Sequence, residues 1–278
     1  MDVRAYSDPH DLLDLVGPLL RAARVQHTVA LTVLDGLCRS PLPAEGVPVL
    51  LSLHQGRSVV GAAIRTPPHE LISSAVPPGS AGTVLGALAE CDPGLPGFTG
   101  PVAVVDELVA ASGRPVVERR GLRLFELREL VVPGDVPGVA RPVAEADVDL
   151  VAHRLGEFAA EAGTTLPADP AAVVRQWWSV GAHPVLWVDG GQVVSLAKAG
   201  PAVAGMSRLG PVHTPPAHRG HGYGAAATAA ATRAALDAGA QDVVLFTDLA
   251  NPTANRLYPR LGFVPVAEHR QVRLGPRP

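Results

Sequence analysis

One run of prolines and glycines, followed at once by alanines, constrains the fold of this chain more than any other part of its sequence. The run is Thr214-Pro215-Pro216-Ala217-His218-Arg219-Gly220-His221-Gly222-Tyr223-Gly224. Its prolines end a preceding strand because they cannot donate to the ladder, and its glycines let backbone N–H groups turn toward a ligand. The alanines predict a helix whose unpaired N–H groups and positive dipole end point to the same place. The sequence therefore predicts a loop that binds a phosphate-bearing cofactor.

The composition excludes several classes of protein. With 278 residues, 47% of them hydrophobic, and a mean hydropathy of +0.22, the chain can form two domains or one large one. No apolar stretch is long enough to cross a bilayer and the first residues do not resemble a signal peptide, so we expect a soluble, cytoplasmic protein without membrane contacts. A net charge of −3 without basic clusters argues against a nucleic-acid partner.

Cysteine and lysine usage adds two smaller inferences. Cys38 and Cys91 are too few and too isolated for a disulfide framework or a cysteine metal site, and we expect both to be buried thiols. The very low lysine count beside many Arg, Ala, Gly and Pro residues suggests a GC-rich, bacterial genome.

Helix-like and strand-like segments alternate along the first half of the chain. Apolar residues recur at helical spacing over 8–38, and further helices are predicted at 81–90 and 104–112. Strands are predicted at 47–53, 58–64, 71–76 and 122–130. A connector rich in Pro and Gly follows at 131–138. We therefore expect an N-terminal domain at 1–132, a linker at 133–138 and a second domain at 139–278.

The second half predicts helices interleaved with a largely antiparallel sheet, which is an α+β arrangement. Helices are expected at 145–162, 170–180, 225–238 and 252–261, the third ending at Gly239. Strands are expected at 139–143, at 185–188, 193–199 and 205–214 in hairpin order, at 242–247, and as a terminal pair within 263–274.

Two motifs in this half resemble the GNAT superfamily of acyl-CoA N-acyltransferases. Arg219-Gly220-His221-Gly222-Tyr223-Gly224 fits its Arg/Gln-x-x-Gly-x-Gly/Ala pyrophosphate loop. Asn251-x-x-Ala254-x-x-Leu257-Tyr258-x-x-Leu261-Gly262-Phe263 fits its second signature. One helix and one strand separate the motifs, in the family's order, and the resemblance covers 139 to the C-terminus. It implies tandem units, each a mostly antiparallel twisted sheet flanked by helices, with a degenerate N-terminal copy that lacks the glycine loop.

The resemblance implies a set of residues around coenzyme A. The glycine loop would receive the diphosphate, the strand before it would bulge and splay from its parallel neighbour, and its exposed backbone would hold the pantetheine arm. An N–H there would polarise the thioester carbonyl. The implied cofactor-binding residues are Val212, His213, Thr214, Arg219, Gly220, His221, Gly222, Tyr223, Gly224, Ala225, Asn251 and Tyr258.

The implied reaction is direct attack of a neutral amine on the thioester carbon of acetyl-CoA. Tyr258 occupies the family's position for the acid that protonates the leaving thiolate, a role that suits a phenol with a pKa near 10. The base is left open between Asp248, His213, Glu157 and Glu161, with Asp248 and Glu161 as the main candidates beside Tyr258. No metal is expected, because His213, His218 and His221 do not converge and are expected to be solvated or hydrogen-bonded.

Other interpretations of these features fit the sequence less well. A dinucleotide-binding loop fails because the third glycine is one residue early, the prolines interrupt the strand-to-loop junction, and too little chain remains for a doubly wound sheet. Without the family match, Tyr258 would be a core aromatic, and Asp248 could cap the helix that begins near Pro252. Trp177 and Trp178 are expected to pack a helix against the core.

The sequence thus predicts an acetyl-CoA-dependent N-acetyltransferase acting on a small-molecule or peptide amine. Its N-terminal half would shape the acceptor cleft or a contact in a homodimer. The alternatives are a coenzyme A-binding sensor or structural module without turnover, and a transferase of another acyl or aminoacyl group on the same fold.

Overall fold

The two halves of the chain run through the same order of elements. The computed structural model describes residues 1–39, 46–164, 166 and 168–276. The first half forms β1 (Asp2–Tyr6), α1 (Pro9–Ala22), α2 (Thr28–Arg39), β2 (Val49–Gln55), β3 (Ser58–Arg65), β4 (Leu71–Ser74), α3 (Ala81–Cys91), β5 (Gly97–Pro101), α4 (Val102–Ser112) and β6 (Val116–Leu127). The second half forms β7 (Val139–Pro142), α5 (Val148–Ala162), α6 (Pro170–Ser179), β8 (His183–Asp189), β9 (Gln192–Ala199), β10 (Met206–His213), α7 (Tyr223–Asp237), β11 (Asp242–Asp248), α8 (Pro252–Arg260) and β12 (Phe263–Leu274).

Contacts divide the chain into two units. The first comprises Met1–Leu124, Asp248–Ala250 and Val266–Pro278, and the second comprises Phe125–Thr247 and Asn251–Pro265. The segment 133–138, expected as a linker, lies within the second unit, where the Trp187 indole N–H donates to the Pro137 carbonyl at 2.7 Å.

The first unit is a mostly antiparallel sheet in the order β1-β2-β3-β4-β5-β12. Among the described strand pairs of this unit, β4 and β5 are parallel, with Leu71 opposite Phe98 and Ile72 opposite Thr99. Helices α3 and α4 supply Val84, Leu88, Val105 and Leu108 to a core that also takes in side chains of β2, β5 and β12.

The second unit has the strand order β11-β10-β9-β8-β7, antiparallel except for the pair β10–β11. Helices α7 and α8 pack against one face, and α5 and α6 against the other. The alanines of α7 explain its position, because alanine has the highest helix propensity and its small side chain lets the helix lie close to the sheet. The buried residues of α7 are Tyr223, Ala226, Ala227, Thr228, Ala229, Ala231, Thr232 and Ala235.

The α+β class predicted from the sequence is confirmed, and the elements of the second half lie within a few residues of their predicted bounds. Three details differ. The terminal strand pair is one strand, β12, and the helical segment at 8–38 is two helices. Strands β1 and β5 were not predicted, since β5 contains Gly and Pro residues that are typical of loops.

Side-chain burial corrects two further expectations. Cys91 is exposed and Cys38 only half-buried, so the two thiols are not core residues. Trp177 is buried as expected, but Trp178 is 37% exposed. No helix in the described ranges is long and apolar enough to cross a membrane.

Candidate functional site

A gap opens between β10 and β11 in the second unit. Their parallel pairs run from Met206 with Asp242 to Leu209 with Leu245, and no described pair follows, although both strands continue. On the other side of β10, the register against β9 shifts between Leu209 and Val212. The strand therefore bulges and splays just before the glycine loop, which exposes backbone groups along the edge that faces the gap.

The glycine loop ends in an uncapped helix N-terminus. Gly220 and Gly222 have φ values of +86° and +83°, a region that favours glycine. Gly222 is the N-cap of α7 and no described side chain caps the helix. The Ala226 N–H donates to the Gly222 carbonyl at 3.0 Å, so the N–H groups at 223–225 precede the first helical hydrogen bond. These donors and the positive dipole end form a cradle that fits the diphosphate of coenzyme A.

Side chains of the loop anchor it to the rest of the unit. The Tyr223 hydroxyl donates a short hydrogen bond to Asp189 at the end of β8, and its ring stacks on His221 with centroids 5.5 Å apart. The Thr214 and Ser195 hydroxyls lie 2.9 Å apart. The loop thus offers its backbone to a ligand, while its aromatic and hydroxyl groups fix its position.

The guanidinium of Arg219 bridges the loop to α5. Its Nε donates to the Thr214 carbonyl at 2.9 Å, and its NH2 group contacts both carboxylate oxygens of Glu161 at 2.6 and 2.7 Å. Both side chains are about half exposed, at 49% and 46%, so the ion pair adds little stability. Glu161, a predicted catalytic residue, accepts hydrogen bonds from this guanidinium.

The connector at 131–138 lies beside the cradle. This contact was not predicted from the sequence. A Cβ built on Gly222 would lie 3.0 Å from Cγ2 of Val136. The connector's Pro and Gly residues indicated only a linker, because nothing in their pattern shows which surface they cover. Ala225, the last of the three residues whose N–H groups form the cradle, is half-buried.

Tyr258 is held in an aromatic cluster on α8. Its ring lies 5.9 Å from that of Phe125 and 6.1 Å from that of Phe263. Burial raises the pKa of the Tyr258 phenol to about 12, compared with 10 for the free side chain. The phenol is therefore a hydrogen-bond donor throughout the neutral range.

The second signature's other polar residues make local hydrogen bonds. The Asn251 side chain accepts from the Ala254 N–H at 3.0 Å and so caps α8, which corrects the cap suggested for Asp248. Asp248 accepts from the Ala250 N–H at 2.7 Å, and contacts assign Asp248–Ala250 to the first unit. Asp248 and Tyr258 thus belong to different units.

His213 lies at the end of β10 between two carboxylates. Its Nδ1 is 3.9 Å from Glu157 and its Nε2 is 3.9 Å from Glu161. The ring is buried, and neither nitrogen has a hydrogen-bond partner among the described residues, so the expectation of a solvated or hydrogen-bonded histidine was wrong. Burial lowers the pKa of His213, and the carboxylates offset part of this effect. An ion pair with Arg154 at 2.7 Å lowers the pKa of Glu157.

The structure thus brings three of the four candidate bases close together, and they differ in their ability to accept a proton. His213, Glu157 and Glu161 lie together on the α5 face of the sheet. Both carboxylates are occupied by arginines, whereas the neutral imidazole can accept a proton directly. No three His, Cys, Asp or Glu side chains converge as a metal site among the described residues.

Sequence reasoning also missed two cations on this face, Lys198 of β9 and Arg208 of β10. Burial lowers the pKa of both, that of Lys198 to about 8. One signal could have revealed the first: Lys198 is the only lysine among 23 Lys and Arg residues.

Comparisons with known proteins agree with the motifs. Residues 152–263 match the model of the acetyltransferase (GNAT) family. No curated protein matches the chain.

Solved structures match over nearly the whole chain. A GCN5-related N-acetyltransferase from Sphaerobacter thermophilus is 17% identical, covers 100% of this chain and 96% of its own, and has a TM-score of 0.66. One from Kribbella flavida is 23% identical over 90% and 95% of the two chains, with a TM-score of 0.62. A tandem GNAT protein from the clavulanic acid biosynthesis pathway is 15% identical over 100% and 99%, also at 0.62. These likenesses establish the fold. The N-terminal half as a degenerate copy stays a prediction.

Proposed function

We propose that this chain, whose residues 152–263 form a domain of the acetyltransferase (GNAT) family, is an acetyl-CoA-dependent N-acetyltransferase. The family supports an acyltransferase activity. The acetyl group, the coenzyme A thioester and the amine acceptor are inferred from the geometry of the site.

One observation carries the proposal: the loop 214–222 alone separates the strand that splays from β11 from the uncapped N-terminus of α7. A long cofactor with a diphosphate at one end and a thioester at the other needs both features in this order. The N–H groups at 223–225 would bind the diphosphate, and the backbone of Val212 and Thr214 would hold the arm and polarise the thioester carbonyl.

His213 is the base that the geometry supports best. The imidazole would accept the proton that the amine loses as its nitrogen bonds to the thioester carbon. Its lowered pKa keeps the ring neutral and therefore able to accept a proton at pH 7. Glu157 and Glu161, each 3.9 Å from a ring nitrogen, would stabilise the imidazolium that forms.

Tyr258 would assist the departure of sulfur when the carbon–sulfur bond breaks. An ordinary thiol has a pKa near 8.5, so a phenol with a pKa of about 12 keeps its own proton. Tyr258 would therefore stabilise the thiolate by donating a hydrogen bond, a more limited role than the proton transfer implied by the family resemblance.

The test is thiol release from acetyl-CoA with a panel of amines, for the wild type and Tyr258→Phe. We expect the variant to bind coenzyme A normally and to lose roughly ten- to a thousand-fold in kcat. Tyr6→Phe in the first unit is the matched control, because it also removes one phenol hydroxyl, here one that bonds Ser52. An unchanged rate in Tyr258→Phe would remove Tyr258 from the mechanism. Cofactor binding without acetylation of any amine would favour the sensor alternative.

A further inference from the structure

Lys198 and Arg208 project from the same face of the second unit's sheet. Side chains alternate between faces along a strand. Ala197 and Ala199 pack into the core cluster formed with α7, so Lys198 between them faces α5 and α6. Leu209 belongs to the same cluster, which directs its neighbour Arg208 to the α5 and α6 side as well.

Both cations are half-buried without a counter-charge. The Lys198 ammonium lies 5.1 Å from the ring centroid of Trp177 on α6. Neither Lys198 nor Arg208 forms an ion pair within the part of the chain that the structure describes. Burial lowers the pKa of each, and the charge of Arg208 lowers that of Lys198 further.

The other cations that approach this face are neutralised. Arg154 is paired with Glu157 at 2.7 Å, and Arg219 with Glu161 at 2.6 Å. Among the described cations on this face, Lys198 and Arg208 are therefore the two that carry a positive charge away from water without a carboxylate partner. Holding two like charges out of water destabilises a fold unless an anion compensates them, and no described side chain supplies that anion.

Strand register places the pair next to the proposed base. His213 lies opposite Leu196, and Lys198 is two residues further along β9 on the same face, a step of about 7 Å. Arg208 follows beyond it, since its carbonyl accepts from the Gly200 N–H at 2.9 Å. The imidazole, the ammonium and the guanidinium thus succeed one another along one face.

We propose that Lys198 and Arg208 form an anion subsite for the acceptor, which is an amine that carries a carboxylate a few bonds from its nitrogen. Amino acids are the simplest members of this class. The carboxylate would accept charge-assisted hydrogen bonds from both cations, while the Trp177 ring covers the carbon part and the amine reaches His213. This inference rests on the proposed function, because it assigns the acceptor of that reaction.

The kinetic test compares amino acids with their amides, from glycine and glycinamide to phenylalanine and its amide. Because the amide group makes the amine less basic, each kcat/KM is referred to the fraction of neutral amine. We expect wild-type kcat/KM to favour the acids at least tenfold, and Lys198→Met and Arg208→Met to abolish this preference through KM. Arg233→Met on the exposed face of α7 removes the same charge elsewhere and should retain the preference. Equal use of acids and amides by the wild type, or a preference for O-phosphoethanolamine over the acids, would overturn the assignment.

A binding test separates this inference from the proposed reaction. Protein grown on [ε-13C]lysine gives one lysine NMR signal, that of Lys198. N-acetylglycine cannot be acetylated further, and we expect it to raise the titration midpoint of that signal by about one pH unit or more. N-acetylglycinamide should leave the midpoint unchanged. If no amine is acetylated but N-acetylglycine moves the signal, the proposed reaction fails, and Lys198 and Arg208 remain a carboxylate-binding site without an assigned acceptor. An unmoved signal refutes the subsite.

The thermal stability of a Lys198 variant provides a third test, because a purely structural role of Lys198 predicts the opposite change in Tm. Replacing an unpaired, desolvated cation by Met should raise the Tm of Lys198→Met. A lower Tm, with the preference for acids retained, would show that Lys198 serves packing alone.

Discussion

Gly222→Ala tests whether backbone groups at the start of α7 bind the cofactor. Gly222 has a φ of +83°, so an alanine there adopts a left-handed conformation at a cost of about 1–2 kcal/mol. Its Cβ would also lie 3.0 Å from Cγ2 of Val136, and relief of this contact requires the loop or the connector to shift by a few tenths of an ångström. Because the N–H groups at 223–225 follow directly, the same shift misaligns the donors of the cradle.

The magnitude follows from the hydrogen bonds at risk. A hydrogen bond to a charged group contributes about 1.5–3 kcal/mol, and about 1.4 kcal/mol corresponds to a tenfold change in affinity. Weakening one or two bonds to the diphosphate should therefore lower the affinity for coenzyme A by roughly ten- to a hundred-fold. Isothermal titration calorimetry with coenzyme A measures this loss directly.

Gly239→Ala is the matched control at the other end of the same helix. Gly239 has a φ of +93°, and no described atom lies within 4 Å of a Cβ built on it. The left-handed backbone should cost both variants about 1–2 kcal/mol of stability in urea unfolding, and the contact with Val136 should add to the loss in Gly222→Ala. Only Gly222→Ala should bind coenzyme A more weakly. Equal affinities for coenzyme A in the two folded variants would show that the cradle is not where the cofactor binds.

Two further predictions follow from buried histidines. Burial places the pKa of His213 in the free protein below 6.5. We therefore expect kcat/KM, referred to the neutral amine, to rise with pH through a value below 6.5 and then level off. His213→Gln should lose roughly a hundred-fold in kcat and this pH limb, and an unchanged pH–rate profile would exclude His213 as the base. In the first unit, burial and the nearby charge of His27 lower the pKa of His269 to about 4. The folded state thus binds this proton less well than the unfolded chain, so the contribution is present above pH 6.5 and lost as pH falls toward 4, about 3 kcal/mol in all. Urea unfolding at pH 7 and pH 4 should show a smaller acid loss for His269→Gln than for the wild type, and the same loss in both would contradict the pKa.

The cradle could be predicted from sequence because it is local. Two prolines, the glycines at 220 and 222 and the alanines after them determine where the strand ends, which backbone conformation follows and where α7 begins. Each of these effects acts within a few residues along the chain. The α+β class was predictable for the same reason, since alternating helix and strand patterns are local periodicities.

Strand pairing and burial decided the rest of the candidate site. The histidine at 213 looked like one of three solvated side chains, but the splayed β10 buries it between two glutamates of α5. The phenol of Tyr258 was expected near its ordinary pKa, and its buried position raises the pKa to about 12. These properties depend on contacts across strands and helices that no sequence pattern specifies.

By itself, the sequence determined the phosphate-binding loop and the helix that follows it. It also determined that the segment from residue 139 to the C-terminus resembles the GNAT superfamily. All three depend on short motifs whose residues are close together along the chain. Only the tertiary structure decided that Val136 lies beside Gly222, and that Lys198 and Arg208 lie on one face without a counter-charge. The physical reason is that charge compensation and steric contact are set by distance in space, which the register of β9 against β10 fixes and the order of residues does not.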